Sequence, residues 1–204
     1  KLENQRLRIA KELHDNIGSQ LTYLASAAQN IGYGIDNTSI DATKDKLQDL
    51  SDFSQDAITD LRDTIWVMNK SVVSVEDLSE RLSSLAHKVS NTTGIRMTIH
   101  KEGDETSNFD PSQTMTIYRI IQEAVNNAVK HSEANEIHID IHSGPNVLIK
   151  IEDNGKGFDV TDMLSRSHGL NNMESRAKQI NANFTITSST KGTLIVLEIP
   201  QTDK

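Results

Sequence analysis

Cysteine is absent from the 204 residues, which excludes disulfides and thiolate metal sites and fits a reducing compartment. Aromatic side chains make up only 4% of the chain, so any core has to be built from Leu, Ile, Val and Ala. Apolar residues reach 35% and charged residues 25%, a low and an ordinary share for a soluble protein. Positive charge is in deficit, with a net charge of −8. That argues against nucleic acid as a direct ligand, because a phosphate backbone needs a basic footprint. No apolar run approaches the roughly 20 residues that span a bilayer, and no signal peptide is visible. The chain opens at Lys1 inside what already reads as a helix. The expectation is a fragment of a longer protein, with any membrane anchor lying upstream.

The first part of the chain is written in helical spacing. No proline interrupts Leu2 to Tyr33, and Ala10, Leu13, Ile17, Leu21, Leu24, Ala28 and Ile31 step by three or four, the seam of a helix that packs on other helices. Gly32, Gly34, Asp36, Asn37 and Ser39 form a turn cluster. A second helix is expected to about Met68, with Leu47, Leu50, Ala57, Leu61, Ile65 and Met68 along its seam. Two such helices joined by a short turn form an antiparallel hairpin. One hairpin leaves its seam half exposed, so pairing two of them in a homodimeric four-helix bundle is the economical solution. Asp41, Asp45, Asp49, Asp52, Asp56, Asp60 and Asp63 also recur at helical spacing and read as a solvated outer face.

After Asn69 the pattern changes, placing a domain boundary near 69–74 and two domains at 1–70 and 71–204. Residues 76–91 read as a helix ended by Gly94, followed by a strand with Ile95, Met97 and Ile99. Asp110 as N-cap and Pro111 in the first turn open a helix to about Ser132. Ile137, Ile139 and Ile141, then Val147, Ile149 and Ile151, alternate as strands. A helix from about Leu170 to Ile180 precedes two more strands, 184–187 and 193–199. Helices interleaved with half-buried strands predict an α+β two-layer sandwich with helices on one sheet face.

Several short stretches can carry chemistry. In Glu12-Leu13-His14-Asp15, Leu13 and Ile17 lie on the seam, which leaves His14 at its rim and open to a large co-substrate. A carboxylate next to an imidazole can bond one ring nitrogen, fix the tautomer and make the other nitrogen a better nucleophile. Taken alone, such a dipeptide is an ordinary surface pair. Further on, Glu123, Asn127 and Lys130 form a polar stripe beside the buried stripe of Ile117, Ile121, Ala124 and Ala128. An amide oxygen can join a Mg²⁺ shell and an ammonium can neutralise phosphate. Asp153 closes a strand ahead of Gly155 and Gly157. A carboxylate there can accept from the exocyclic amine of adenine, and the glycines let backbone approach a ligand. His168-Gly169-Leu170 leads into a helix whose first turn offers free N–H donors to phosphate. Thr193 opens the last strand, where its hydroxyl can reach the base. His138, Asp140 and His142 alternate on one strand face, a spacing that could hold a metal, although the wet face of a sheet accounts for them as well.

Together, the order and spacing of these stretches resemble a two-component sensor histidine kinase catalytic core, of the subfamily that includes nitrate and membrane-fluidity sensors. Glu12-Leu13-His14-Asp15 and Ile65-Trp66-Val67-Met68-Asn69 resemble its dimerisation and phosphotransfer hairpin. Glu123 to His131 resembles the N box, Asp153 to Gly157 the first glycine box and His168 to Leu170 the second glycine box of the GHKL or Bergerat ATP-binding fold. That fold is shared with gyrase, Hsp90 and mismatch-repair ATPases. The resemblance implies ATP and Mg²⁺ as cofactors and His14 as phosphoacceptor with Asp15 as its polarising neighbour. It implies Mg²⁺ on Asn127, with Glu123 as a second ligand or an acid of less certain role. Lys130 would contact phosphate, Asp153 would read adenine, and His131 would belong to the nucleotide site. Gly155, Gly157, His168, Gly169, Leu170 and Thr193 would complete the nucleotide site, under a lid at 159–168. It further implies a homodimer, a response regulator with a receiver domain and helix-turn-helix output, and a cytoplasmic location as part of a membrane-anchored receptor. One departure touches dephosphorylation of the regulator. Ser19 stands where phosphatase-active relatives have Gln, and Gln20 lies one place later, about 100° around the helix. The alternatives are a GHKL-type ATPase in which Glu123 activates water, and a degenerate dimeric scaffold.

Overall fold

A computed structural model describes residue 18 and residues 20–33, 39–104, 107–160 and 168–201. His14, Asp15, Ser19 and positions 161–167 of the expected lid lie outside the described residues. The chain divides into two compact units, Lys1–Ser71 and Val72–Lys204.

In the first unit, residues 20–33 are helical (α1) and a second helix, α2, spans Ile40–Met68. Ser39 caps α2, its hydroxyl accepting from the Ala42 N–H at 3.3 Å. Tyr23 packs on Phe53 with ring centroids 4.5 Å apart. Much of the apolar seam stays uncovered within one chain: Leu21, Leu47 and Ile65 are exposed at 59%, 50% and 47%. Asp41, Asp45, Asp49 and Asp52 form the wet face that the spacing predicts, whereas Asp63 is buried.

The second unit begins with a two-residue strand, β1 (Val73–Ser74), and helix α3 (Val75–Thr93). A capping box starts α3. The Ser74 hydroxyl accepts from the Asp77 N–H at 3.1 Å, and Asp77 Oδ2 accepts from the Ser74 N–H at 3.0 Å. Gly94 stops the helix at φ 75°, where a side chain would be strained. Strands β2 (Arg96–Gly103) and β3 (Asn108–Phe109) follow, β3 pairing antiparallel with β1. Helix α4 runs Pro111–Asn127 and continues as a π turn over Ala128–Ser132. Then come β4 (Glu136–Ser143), β5 (Asn146–Asp153), α5 (His168–Gln179), β6 (Asn183–Ser189) and β7 (Gly192–Pro200).

The main sheet has the order β2-β4-β5-β7-β6. Its β2–β4 pair is parallel and the rest antiparallel. The parallel pair needs a crossover, and α4 lies within it. Period-two patterning sends Ile137, Ile139, Ile141, Val147, Ile149, Ile151, Ile195, Leu197 and Ile199 to the face covered by α3, α4 and α5. There they join Leu78, Leu82, Ile117, Ile121 and Met173 in one core. Ile149, at the centre of the sheet, is fully buried. Ile149→Ala should cost about 2–5 kcal/mol by loss of transfer energy and creation of a cavity. The urea midpoint of the second unit measures this, and an unchanged midpoint would contradict the packing described.

Candidate functional site

A cavity of about 210 Å³ opens between the sheet and α4, bounded by α4 and its π turn, the β5 end, the α5 start and β7. Its walls are apolar where strands face helices, with Ala124, Ala128, Ile151, Leu170, Ile186 and Ile195. Asn127, His131, Ser132, Asp153, Lys156 and Thr193 supply the polar part of the lining. Asp153 and Thr193 are direct partners across β5 and β7, and each is 8% exposed. A buried carboxylate and a buried hydroxyl therefore stand side by side in a mostly apolar slot. One oxygen of Asp153 accepts from the Gly155 N–H at 2.8 Å. Among the described residues its second oxygen has no partner.

The glycine turn after β5 is fastened to the end of the π turn. Lys156 N–H donates to the Ser132 carbonyl at 2.8 Å, and Lys156 Nζ bonds Glu133 at 2.7 Å. The ammonium, through that hydrogen bond and then its charge, holds the Glu133 carboxyl below its ordinary value. Asn154 Oδ1 accepts from the N–H groups of Asn135 and Glu136 at 3.0 and 3.1 Å. Gly155 lies so close to Ser132 that a Cβ would overlap its backbone, so the glycine is required by approach rather than by φ. Gly157 has φ 61°, and its Cβ would meet the Ser189 carbonyl.

Glu123 and Asn127 sit one helical turn apart on α4, both half-buried, and face the start of α5. A Cβ at Gly169 would collide with Glu123 Oε1 and come within 3.8 Å of Asn127 Nδ2. Neither side chain has a hydrogen-bond partner among the described residues. Two oxygen-bearing side chains beside the N–H groups of a helix start suit a hydrated Mg²⁺ and polyphosphate, the cation taking oxygen ligands and the N–H groups taking anionic oxygen.

The predicted residues do not all converge. Asn127, His131, Asp153, Gly157, Leu170 and Thr193 line the cavity. Gly155 supports the turn from behind, and Glu123 and Gly169 meet at its end. Lys130 is exposed and does not line the cavity. The stripe expected from α-helical spacing breaks because the π turn begins at Ala128 and delays each later side chain around the axis. His131 takes the cavity position instead. His168 opens α5, two residues earlier than the apolar pattern suggested. Ser132, Ile151, Phe158, Ile186 and Ile195 also line the cavity and were not singled out from sequence. The isoleucines were legible only as core.

The strands β2 and β4 hold His100, His138 and His142. Among the described residues no group of three or more His, Asp or Glu could hold a metal. His138 is engaged by Thr98 Oγ1 at 2.7 Å and Glu136 at 3.3 Å, and His142 Nδ1 by Glu102 at 2.6 Å. The His142 hydrogen bond and charge, with a smaller contribution from His100, hold the Glu102 carboxyl below its ordinary value. A carboxyl depressed in the fold stabilises it above the unfolded-state pKa, and that contribution is lost as pH falls through the folded-state value. His142→Gln should raise the Glu102 midpoint in a carboxyl NMR titration. An unmoved midpoint would remove His142 as the cause.

Comparison with known proteins adds relatives to this geometry. Residues 112–203 match the family described as "Histidine kinase-, DNA gyrase B-, and HSP90-like ATPase", and residues 5–73 match the family described as "Histidine kinase". Sensor protein VraS of Staphylococcus haemolyticus is 30% identical over 98% of this chain and 56% of its own length. Its counterpart in Staphylococcus aureus (strain COL) is 29% identical with the same coverage. The chain thus spans about half the length of these curated relatives. Among solved structures, histidine kinase AdeS of Acinetobacter baumannii has a TM-score of 0.61 at 17% identity, covering 93% of this chain and 98% of that one. A histidine kinase domain of the Erythrobacter litoralis blue-light activated kinase has a TM-score of 0.55 at 13% identity, covering 87% and 96%. These two establish likeness of fold.

Proposed function

This chain belongs to the two-component sensor histidine kinases, and from that premise we propose that it binds Mg-ATP in the cavity of its second unit and phosphorylates His14. The observation that carries the proposal is the buried Asp153–Thr193 pair in a mostly apolar cavity that Asn127 also lines, with Glu123 and Asn127 beside the α5 start. The carboxylate accepts from the adenine amine and repels the carbonyl that guanine presents at the same place. Ile151, Ile195 and Leu170 cover the faces of the base. Asn127 and Glu123 are the residues that would hold Mg²⁺, which supplies charge neutralisation at the phosphates. His131 lines the cavity, and the exposed Lys130 would reach phosphate only along its flexible stem.

In the transfer step, the lone pair of one His14 ring nitrogen forms the P–N bond as the bond from the γ-phosphorus to the bridging oxygen breaks and ADP leaves. Asp15 holds the proton on the other ring nitrogen, which keeps the attacking nitrogen unprotonated. Positioning and electrostatics supply most of the rate, as in other phosphoryl transfers.

The phosphotransfer domain is assigned to 1–70 and the ATP-binding domain to 71–204. The exposed seam of Leu21, Leu47 and Ile65 supports a homodimer in which two hairpins form a four-helix bundle. The phosphoryl group then passes to an aspartate in the receiver domain of a response regulator with helix-turn-helix output. The chain is the cytoplasmic part of a membrane-anchored receptor; among its described residues no helix is long and apolar enough to cross a membrane.

Incubation with ATP labelled at the γ-phosphate tests the proposal. Label on the protein that is acid-labile, alkali-stable and absent from His14→Gln is expected. Phosphate released equally by both proteins, with no protein label, would replace the kinase with an ATPase.

A further inference from the structure

The glycine turn and the last hairpin meet at one side chain that none of the motifs contains. Ser188, on β6, accepts a hydrogen bond from the Phe158 N–H at 3.0 Å, where the chain leaves the glycine turn. Its Oγ also lies 3.0 Å from Thr193 Oγ1 and 3.4 Å from the Gly192 carbonyl. Ser188 and Thr193 are direct partners in the β6–β7 register, and Thr193 in turn partners Asp153 on β5. Gly157 makes room for the arrangement, since a Cβ there would come within 2.8 Å of Ser188 Oγ.

A serine hydroxyl has one proton to give. With Phe158 donating to it, Ser188 spends that proton on either Thr193 Oγ1 or the Gly192 carbonyl. The 3.0 Å contact is a full hydrogen bond and the 3.4 Å contact a marginal one. Either hydroxyl can be the donor of the 3.0 Å bond; where Ser188 donates it, Thr193 Oγ1 receives that proton and its own is free to point into the cavity that Thr193 lines. The floor then presents an acceptor, Asp153, beside a donor, Thr193. The Watson–Crick edge of adenine offers the complement, an amine donor beside the N1 acceptor. Guanine offers a carbonyl acceptor beside an N1–H donor, which is the reverse order.

We propose that Ser188 is a positioning residue for nucleotide selectivity, fixing the Thr193 hydroxyl as a donor toward the base while tying the Phe158 backbone to the same point. The proposal rests on the ATP-site assignment above. Because the Phe158 N–H and the Thr193 hydroxyl share one anchor, base recognition and the root of the segment that follows the glycine turn are coupled. A bound base that engages Thr193 strengthens the chain of hydrogen bonds running back to Phe158.

The test uses the 204-residue chain, titrated with fluorescent ATP and GTP analogues. Ser188→Ala is expected to weaken the ATP analogue by up to about tenfold, the scale of one net hydrogen bond, with little change for GTP. Ser188→Thr, which keeps the hydroxyl, is expected to restore the ATP preference. In a Thr193→Val background, where no hydroxyl remains to orient, Ser188→Ala is expected to leave the ATP-to-GTP ratio unchanged. Equal losses for both nucleotides, or a selectivity change that survives in Thr193→Val, would overturn the inference. If Ser188→Ala fails to fold, as judged by circular dichroism, the Ser188→Thr and Thr193→Val measurements still decide. Selectivity lost in Ser188→Thr, or kept in Thr193→Val, overturns the proposal. Wild-type binding with an unaffected, folded Ser188→Ala would overturn this inference alone. No nucleotide binding by the wild type would overturn the ATP-site assignment together with it.

Discussion

Asp15→Asn is expected to slow phosphohistidine formation by about 10²–10⁴-fold, the range over which a positioned acid–base partner acts on an imidazole. Affinity for an ATP analogue should stay within about twofold, as for a residue that acts only in the chemical step. The asymmetry follows from where the two groups sit in the sequence. Asp15 adjoins His14 and lies about 110 residues before the N box, so its proposed action is on the imidazole rather than on the nucleotide. Replacing the carboxylate by an amide keeps its size but removes the charge proposed to hold the ring proton. It also allows the wrong tautomer, in which the attacking nitrogen carries the hydrogen. Single-turnover labelling at saturating ATP, followed by acid and alkali treatment, reads the rate directly. Equal losses of rate and nucleotide affinity would remove Asp15 from the chemical step.

Asp153→Asn is expected to weaken adenine nucleotides by about 10–100-fold, the scale of one charge-assisted hydrogen bond in a desolvated site. The fold should survive. Asn retains an oxygen for the Gly155 N–H, which Asp153 now accepts at 2.8 Å, and the position is buried in the same strand. The remaining valence is what changes. An amide NH₂ would face the adenine amine, donor against donor, and would instead welcome the carbonyl of guanine. Titration calorimetry with ADP and GDP measures both sides of the change. Loss of ADP affinity with a gain for GDP is expected, and unchanged ADP affinity would place the base elsewhere.

These two residues also show how differently parts of the molecule were legible in the sequence. His14-Asp15 was conspicuous only as part of a larger pattern, since adjacent side chains on a helix are a common surface pair. Asp153 was legible through local grammar, where an alternating strand gives way to two glycines. The end of α3 at Gly94 and the start of α4 at Asp110 and Pro111 were equally local, whereas the Ser74–Asp77 capping box was not read from the sequence. The small β1–β3 sheet was not anticipated. Two-residue strands carry no period, and their pairing of Val73 with Phe109 spans an entire helix and strand.

Lys130 marks the limit of helical spacing as a guide. The 3.6-residue repeat put it in register with Glu123 and Asn127, and the π turn at Ala128–Ser132 moved it out and brought His131 in. Such a turn has no sequence signature comparable to a proline or a cap. It persists because Ser132 is held from several sides: its hydroxyl bonds Ala128 O at 2.6 Å, and its carbonyl accepts from Lys156.

By itself the sequence determined the long helices and strands of the described chain, most of their buried faces and the family resemblance. Each of these is fixed by interactions within a few residues or by a periodic pattern that one strand or helix carries alone. Only the tertiary structure decided that β2 runs parallel to β4, that Thr193 stands beside Asp153, and that Ser188 joins Phe158 to that pair. Strand register across distant segments sets those meetings. Register is chosen by the packing of a whole sheet against its helices, so no single stretch of sequence contains it.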